Sequence, residues 1–299
     1  MNTDFMKGVI VPILTPIDEN EWIDEIKMRE QVDFVINGGV SGILAFGSNG
    51  EFYVIEEDEM ERGLKIIVDQ AAGRVPVYFG IGAISTKKCV RLAKMAVACG
   101  AAGVSVLQPM FLKPTETELF CHFKTIAEAV PEIPVLLYNN PGRVGYTLSA
   151  DLVEKLAHEV ENIVGMKDTS GDITQTEEFI RRNADVGFKV FGGKDTLLYA
   201  SLCIGAVGGV CTAGNFMPEL IVDIYNKYVA GDIQGSLAAQ YKLNPVRLAM
   251  DGASFPVAAK DMAIMRGLAA GKPYLPNLPT PEGASYDKMK KEMEKAGLI

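Results

Sequence analysis

Eight short apolar runs, each followed by a stretch of helical spacing, constrain this chain more than any other feature. The runs are Gly8–Pro16, Gly42–Ser48, Pro76–Gly82, Gly103–Pro109, Pro134–Asn140, Ile163–Thr169, Phe188–Gly193 and Ala206–Ala213, all rich in Val, Ile and Leu. Continuous apolar runs of this length fit parallel strands buried on both faces. Between them the apolar residues fall at helical intervals: Met28, Val32, Val35, Ile36; Met60, Leu64, Ile67, Val68, Ala71; Cys89, Leu92, Ala93, Ala96, Val97. Each set forms one stripe to lay against a sheet. The punctuation agrees: Ser85, Thr115, Ser149 and Asp172 are N-cap residues. Glu56–Glu59 puts negative charge at a helix start, and Gly38 and Gly100 sit where helices should stop.

Eight strand–helix units in succession, with no Gly/Ser/Pro linker, predict an α/β chain folded as a closed (β/α)8 TIM barrel. An open doubly wound sheet would need a GxGxxG loop after the first strand, and Gly8–Asp18 has none. The expected barrel covers residues 1–230 and holds the active site, with Glu219–Ala230 as its eighth helix. A C-terminal helical segment, 231–299, would follow, built from Asp232–Asp251, Ser254–Ala270 and Ser285–Ala296 and interrupted by Pro273–Pro281.

Composition narrows the function. A net charge of −9 disfavours nucleic acid and anionic membranes as partners, since both call for a basic face. No apolar run approaches the roughly 20 residues a membrane span needs, and the N-terminus lacks a signal-peptide pattern. The five cysteines, Cys89, Cys99, Cys121, Cys203 and Cys211, are scattered, form no CxxC pair and read as reduced core residues of a cytoplasmic protein. With only His122 and His158, both inside predicted helices, a histidine triad or multi-histidine metal site has little to draw on. No cofactor and no metal are expected.

In such a barrel the C-terminal strand ends meet on one face, where catalytic residues gather. That face receives Thr15, then Ser48-Asn49-Gly50-Glu51, then Tyr138 and Asn139, with Arg143 in the loop beyond, then Lys167 and Asp168, and Asn215 after the last strand. Lys167 is the single amine among them, at the end of an apolar run. Such a lysine either reaches solvent or a counter-ion, or stays buried with a lowered pKa, as an amine nucleophile requires. An unperturbed lysine is only about one part in 2,500 free base at pH 7. Gly47 to Glu51 is a Gly-bracketed turn whose N–H groups and Ser48 hydroxyl could cradle a carboxylate. Arg143 could grip a second carboxylate, and Tyr138 could relay a proton. Amine, phenol and anion cradle together describe Schiff-base chemistry on a 2-oxo acid.

Gly47-Ser48-Asn49-Gly50-Glu51, Tyr138-Asn139-Asn140-Pro141-Gly142-Arg143 and Gly165-Met166-Lys167-Asp168 resemble, in order and spacing, the motifs of the dihydrodipicolinate synthase/N-acetylneuraminate lyase family. The resemblance spans nearly the whole chain and implies a pyruvate-dependent class I aldolase. It implies that Lys167 forms the imine, that Tyr138 is the acid/base, that Gly47, Ser48 and Asn49 serve the pyruvate carboxylate, and that Arg143 holds the second substrate. It also implies a homo-oligomer, tetramer or dimer. Three departures stand out. Ser48 and Asn49 occupy places usually held by threonines, Phe111 replaces a tyrosine that relays protons across a subunit interface, and Ile84 falls where a feedback site would be polar. Gly47–Phe52, Lys167-Asp168 and Ala213–Phe216 look more like the 2-keto-3-deoxy sugar acid and 4-hydroxy-2-oxoglutarate aldolases, which is the expectation taken. The alternative is a 4-hydroxy-tetrahydrodipicolinate synthase condensing pyruvate with aspartate semialdehyde, which Arg143 favours. More distant readings are a phosphate-binding isomerase using Gly192-Gly193 and Gly208-Gly209, and a catalytically silent binding protein.

Overall fold

Eight parallel strands hydrogen-bond in chain order and close on themselves in the computed structural model, which describes residues 1–299. They are β1 Gly8–Pro12, β2 Gly42–Ala45, β3 Val77–Ile81, β4 Gly103–Leu107, β5 Val135–Asn139, β6 Ile163–Asp168, β7 Lys189–Gly192 and β8 Gly208–Val210. The barrel seals where β8 pairs with β1, Gly8 opposite Gly208. A β-carbon on Gly208 would lie 1.9 Å from the Gly8 carbonyl oxygen, so only glycine allows that approach. This close packing accounts for the glycine pair that could have been read as a phosphate site.

Inside the cylinder, Met6, Ile10, Leu44, Tyr78, Leu136, Phe191 and Val210 form a separate buried plug. Side chains therefore fill the interior, as in other barrels of eight strands. A larger core lies between the strands and the outer helices, and it continues without a break into Leu243, Val246, Met262, Met289 and Met293. The C-terminal helices thus bury their apolar stripes against the barrel.

The predicted N-caps all form: Ser85, Thr115, Ser149 and Asp172 each accept a hydrogen bond from the backbone N–H three residues on. Strand lengths were overestimated. β1 ends at Pro12 rather than Pro16, and β8 spans three residues, because the chain stays buried as it turns off the ladder. Apolarity tracks burial, and burial outlasts the strand. The helix expected over Ser254–Ala270 is confined to Val257–Met265, beginning just after Pro256, whose ring and missing N–H suit only a helix start. Arg143 belongs to a short helix, Pro141–Val144, instead of a loop. The cysteines are less uniform than expected: Cys89 and Cys211 are buried, but Cys121 and Cys203 are exposed on the outer sides of their helices. No helix is long and apolar enough to cross a membrane.

His122 is buried, with Nδ1 2.8 Å from the Thr86 hydroxyl, and burial pushes its imidazole down to about 4. In the unfolded chain the ring takes up its proton near 6.5. The unfolded state therefore binds more protons between these values, and stability falls as pH drops through that window. His122→Leu should remove this contribution, worth about 3 kcal/mol by pH 4. Urea midpoints of both proteins at pH 7 and pH 4 measure it; parallel losses would assign the acid limb to other groups.

Candidate active site

Strand register builds the centre of the site. Tyr138 on β5 lies opposite Lys167 on β6, and Asn139 lies opposite Asp168. Because successive strand residues face opposite sides, the first pair points into the barrel mouth and the second away from it. Lys167 is 6% exposed, and its Nζ stands 4.3 Å from the centroid of the Tyr138 ring. Asn139 and Asp168 turn to each other, the Asn139 amide donating to the carboxylate at 2.8 Å. The hydroxyls of Thr176 and Ser170 donate to that carboxylate as well, at 2.5 and 2.8 Å. This network locks the β5 and β6 ends, so their inward neighbours are held in place.

Tyr138 is nearly fully buried, and its phenol oxygen accepts a 2.8 Å hydrogen bond from the Asn140 amide. Burial alone would raise the phenol's pKa. The Lys167 charge, together with the Asn140 hydrogen bond and the nearby Ser48 and Thr169 hydroxyls, outweighs burial and holds the phenol below its ordinary value. A more acidic phenol gives up its proton more readily to a developing alkoxide or carbanion.

The Gly47 turn adjoins this pair. Ser48–Gly50 forms a single 3-10 turn after β2, and the N–H groups of Ser48 and Asn49 open it without an intramolecular acceptor. The Thr15 hydroxyl supports the turn from below, donating to the Gly50 carbonyl at 2.9 Å. Gly47 sits behind Ser48 rather than on the open cavity. The Asn49 amide nitrogen is engaged with the Thr212 hydroxyl at 2.9 Å. An anion at this place would therefore meet the two backbone donors and the Ser48 hydroxyl, with the Asn49 side chain bracing the turn.

Ser48, Asn49, Tyr138, Arg143 and Lys167 all line one cavity of about 280 Å³ at the strand C-termini. The structure thus gathers these five expected residues on one wall and leaves Gly47, Thr15, Asn139, Asp168 and Asn215 off it. Two of the strand-end candidates prove structural: Asn215 ties Leu14, Pro12 and Thr212 together by their backbones, and Thr15 serves the turn. Sequence reading missed five contributors. Lys194 and Arg247 also line the cavity, and Phe255 lies beneath Arg143, whose guanidinium carbon is 4.4 Å from the ring centroid. Buried Asp195 lies 3.3 Å from Arg247 Nε and accepts from the N–H groups of Thr212 and Ala213. The cavity wall carries four cations, Arg143, Lys167, Lys194 and Arg247, and no carboxylate, in a chain of net charge −9.

The fifth miss is another lysine. Lys260 is 0% exposed, deeper than Lys167, and its ammonium lies 2.5 Å from the equally buried Glu51 carboxylate. Burial pushes the Glu51 carboxyl up and the Lys260 amine down, each opposed by the partner's charge. No cluster of three or more His, Cys, Asp and Glu side chains stands ready to hold a metal ion.

Tyr138 carries the one phenol on the cavity wall, and the acid/base role expected for it is testable. Tyr138→Phe should lower kcat by about two orders of magnitude or more, the range of a general acid–base group. Steady-state rates measure this, with a loss under threefold placing the proton on another group.

Comparison with known proteins matches this architecture. Residues 5–296 match the Dihydrodipicolinate synthetase family. A 4-hydroxy-tetrahydrodipicolinate synthase of Trichlorobacter lovleyi is 37% identical over 98% of this chain and 99% of its own. A dihydrodipicolinate synthase from Thermotoga maritima superposes with a TM-score of 0.94 at 28% identity, covering 98% of this chain and 99% of that one. A prophage protein of the dihydrodipicolinic acid synthase family from E. coli K12, solved in complex with pyruvate, gives 0.93 at 27% identity, with 98% and 99% covered. These likenesses favour the synthase alternative over the sugar-acid aldolase expectation taken from the sequence. With its barrel, its strand-end lysine and tyrosine, and a match along almost its full length, the chain belongs to the dihydrodipicolinate synthetase family of pyruvate-dependent class I lyases.

Proposed function

We propose that this enzyme condenses pyruvate with an aldehyde that carries a carboxylate, aspartate semialdehyde foremost, as a 4-hydroxy-tetrahydrodipicolinate synthase does. The observation that carries this reading is the cavity wall, with four cations and no carboxylate. One anion needs only the Ser48–Asn49 turn beside Lys167; the remaining cations suit a second anionic reactant. Arg247 already faces Asp195 and Asp251, and a neutral aldehyde would leave Arg143 and Lys194 without an anionic partner in the complex.

In the proposed reaction the Lys167 amine adds to C2 of pyruvate, the Tyr138 phenol gives its proton to the departing hydroxyl, and loss of water leaves a protonated imine beside a phenolate. That cation draws the electron pair of a C3–H bond as Tyr138 accepts the proton, giving an enamine. The enamine carbon then attacks the aldehyde carbon, and the phenol returns a proton to the new alkoxide. Because the protonated imine keeps a positive charge where the ammonium stood, it continues to favour phenol ionisation. The imine itself is the electron sink, so the step requires no cofactor and no metal. The turn's fixed donors stabilise the oxo acid carboxylate and orient it.

A second reading, a 2-keto-3-deoxy sugar acid or 4-hydroxy-2-oxoglutarate aldolase, draws support from the Ser48-Asn49 pair and from Phe111, which brings no hydroxyl to a relay. Phe111 is 95% exposed at φ +75°. Leu112, next to it in the chain, and Ile84 are exposed as well, which supports a homo-oligomer that covers them. We assign the enzyme to the cytoplasm on its reduced cysteines, with small-molecule substrates and neither nucleic acid nor membrane as partners.

Initial rates with pyruvate and each of aspartate semialdehyde, glyoxylate and glyceraldehyde test the proposal. The two carboxylate-bearing aldehydes should be used best, aspartate semialdehyde above glyoxylate. Arg143→Gln should raise KM for them about 10- to 100-fold, the worth of a charge-assisted hydrogen bond. KM for glyceraldehyde should stay within about twofold, since no charge is read there. Faster turnover of neutral glyceraldehyde than of either acid would overturn the reading.

A further inference from the structure

Glu51 ends the turn that carries Ser48 and Asn49, and it does so in an unusual conformation. Its φ and ψ of 57° and 34° lie in the left-handed region, which a residue with a β-carbon enters only when its surroundings impose it. The surroundings here are the C-terminal segment. One Glu51 oxygen is paired with Lys260 at 2.5 Å, from helix Val257–Met265, and the other accepts from the Tyr274 N–H at 3.1 Å. Lys260 is itself pinned, donating to the Lys272 carbonyl at 2.8 Å. Both charged side chains are 0% exposed.

A fully buried ion pair is a poor source of net stability, because desolvating two charges offsets their attraction. It is strong at enforcing one arrangement, since either charge left alone in that site is heavily penalised. Lys260 and Glu51 come from opposite ends of the chain and from different parts of the fold, 209 positions apart by number (260 − 51). The pair therefore transmits the position of the C-terminal segment to a turn only two or three residues long. Neither residue touches the cavity wall.

We propose that Glu51 and Lys260 are positioning residues for the oxo acid: their buried pair holds the left-handed end of the turn so that the Ser48 and Asn49 N–H groups converge on one carboxylate. The inference rests on the reading that this turn binds pyruvate. It predicts that the C-terminal helices contribute to substrate binding at a distance, besides bringing Arg247 and Phe255 to the cavity.

The test uses Glu51→Gln, Lys260→Met and the double variant, each compared with wild type by circular dichroism, thermal midpoint and full steady-state kinetics. The single variants leave one buried charge unpaired and are expected to lose thermal stability, or to fail to fold. The double variant removes both charges and should fold with a midpoint near that of wild type. Its KM for pyruvate should nevertheless rise at least about tenfold, a shift expected when oriented donors to a carboxylate are misplaced. Its KM for the aldehyde should stay within about twofold, because that reactant is held elsewhere. A double variant with wild-type KM for pyruvate would overturn the proposal. So would equal losses in both KM values, or a double variant that does not fold, either of which makes the pair a general stability element. Absence of turnover by wild type with pyruvate and every aldehyde would instead strike the underlying functional reading.

Discussion

The chemistry depends on the register between two neighbouring strands. One residue's slip between β5 and β6 would turn Tyr138 or Lys167 out of the barrel mouth and bring Asn139 or Asp168 in. The outward pair guards against this. Asp168 accepts from Asn139, Ser170 and Thr176, a network that a shifted register would break. The reactive pair is consequently held by rigid strands, and its relative position costs nothing to organise when substrate arrives. Lys167 also acts on the acidity of its neighbour, since its charge is the largest of the influences that together outweigh the burial of the phenol. Nucleophile and acid/base are one electrostatic unit.

Around this unit the barrel supplies strand ends, and the C-terminal segment supplies the remaining wall. Phe255 lies under Arg143, Arg247 reaches Asp195 beneath the cavity, and Lys260 meets Glu51 under the turn. Helix Ile233–Ala249 is fastened to the β7 end as well, Gln240 accepting from the Tyr199 N–H and donating to the Asp195 carbonyl. The segment is therefore built into the site's geometry as well as into the core. Concentrating cations here, in an acidic chain, focuses potential on a small opening and draws anionic substrates to it.

Much of the fold was legible in the sequence because its signals are local. Strand and helix periods, caps and stops each depend on a few adjacent residues, and they placed all eight strands in the right order. Their ends were less legible, since Ile13 and Leu14 remain as buried beyond β1 as the residues within it. The strand-end residues of the site could be named because a barrel makes them converge whatever the loops do. Arg247 and Phe255 could not, because their approach depends on how the C-terminal segment packs across long sequence separations, whereas Lys194, two residues past β7, is a strand-end residue within reach of the same rule. Lys260 is the instructive miss. It lies in Val257-Ala258-Ala259-Lys260-Asp261-Met262-Ala263, a charge inside an apolar stretch, the same signal that drew attention to Lys167. In a helix that signal is ambiguous, as one turn can face either core or solvent, and only the tertiary contact with Glu51 resolves it.

The central claim is a covalent bond between Lys167 and the oxo acid, and reductive trapping addresses it directly. Borohydride added to the enzyme with pyruvate, followed by peptide mass mapping, should show the reduced adduct on the peptide bearing Lys167 and on no other. An adduct at Lys194 or Lys260, or none at all under conditions that support turnover, would contradict the account.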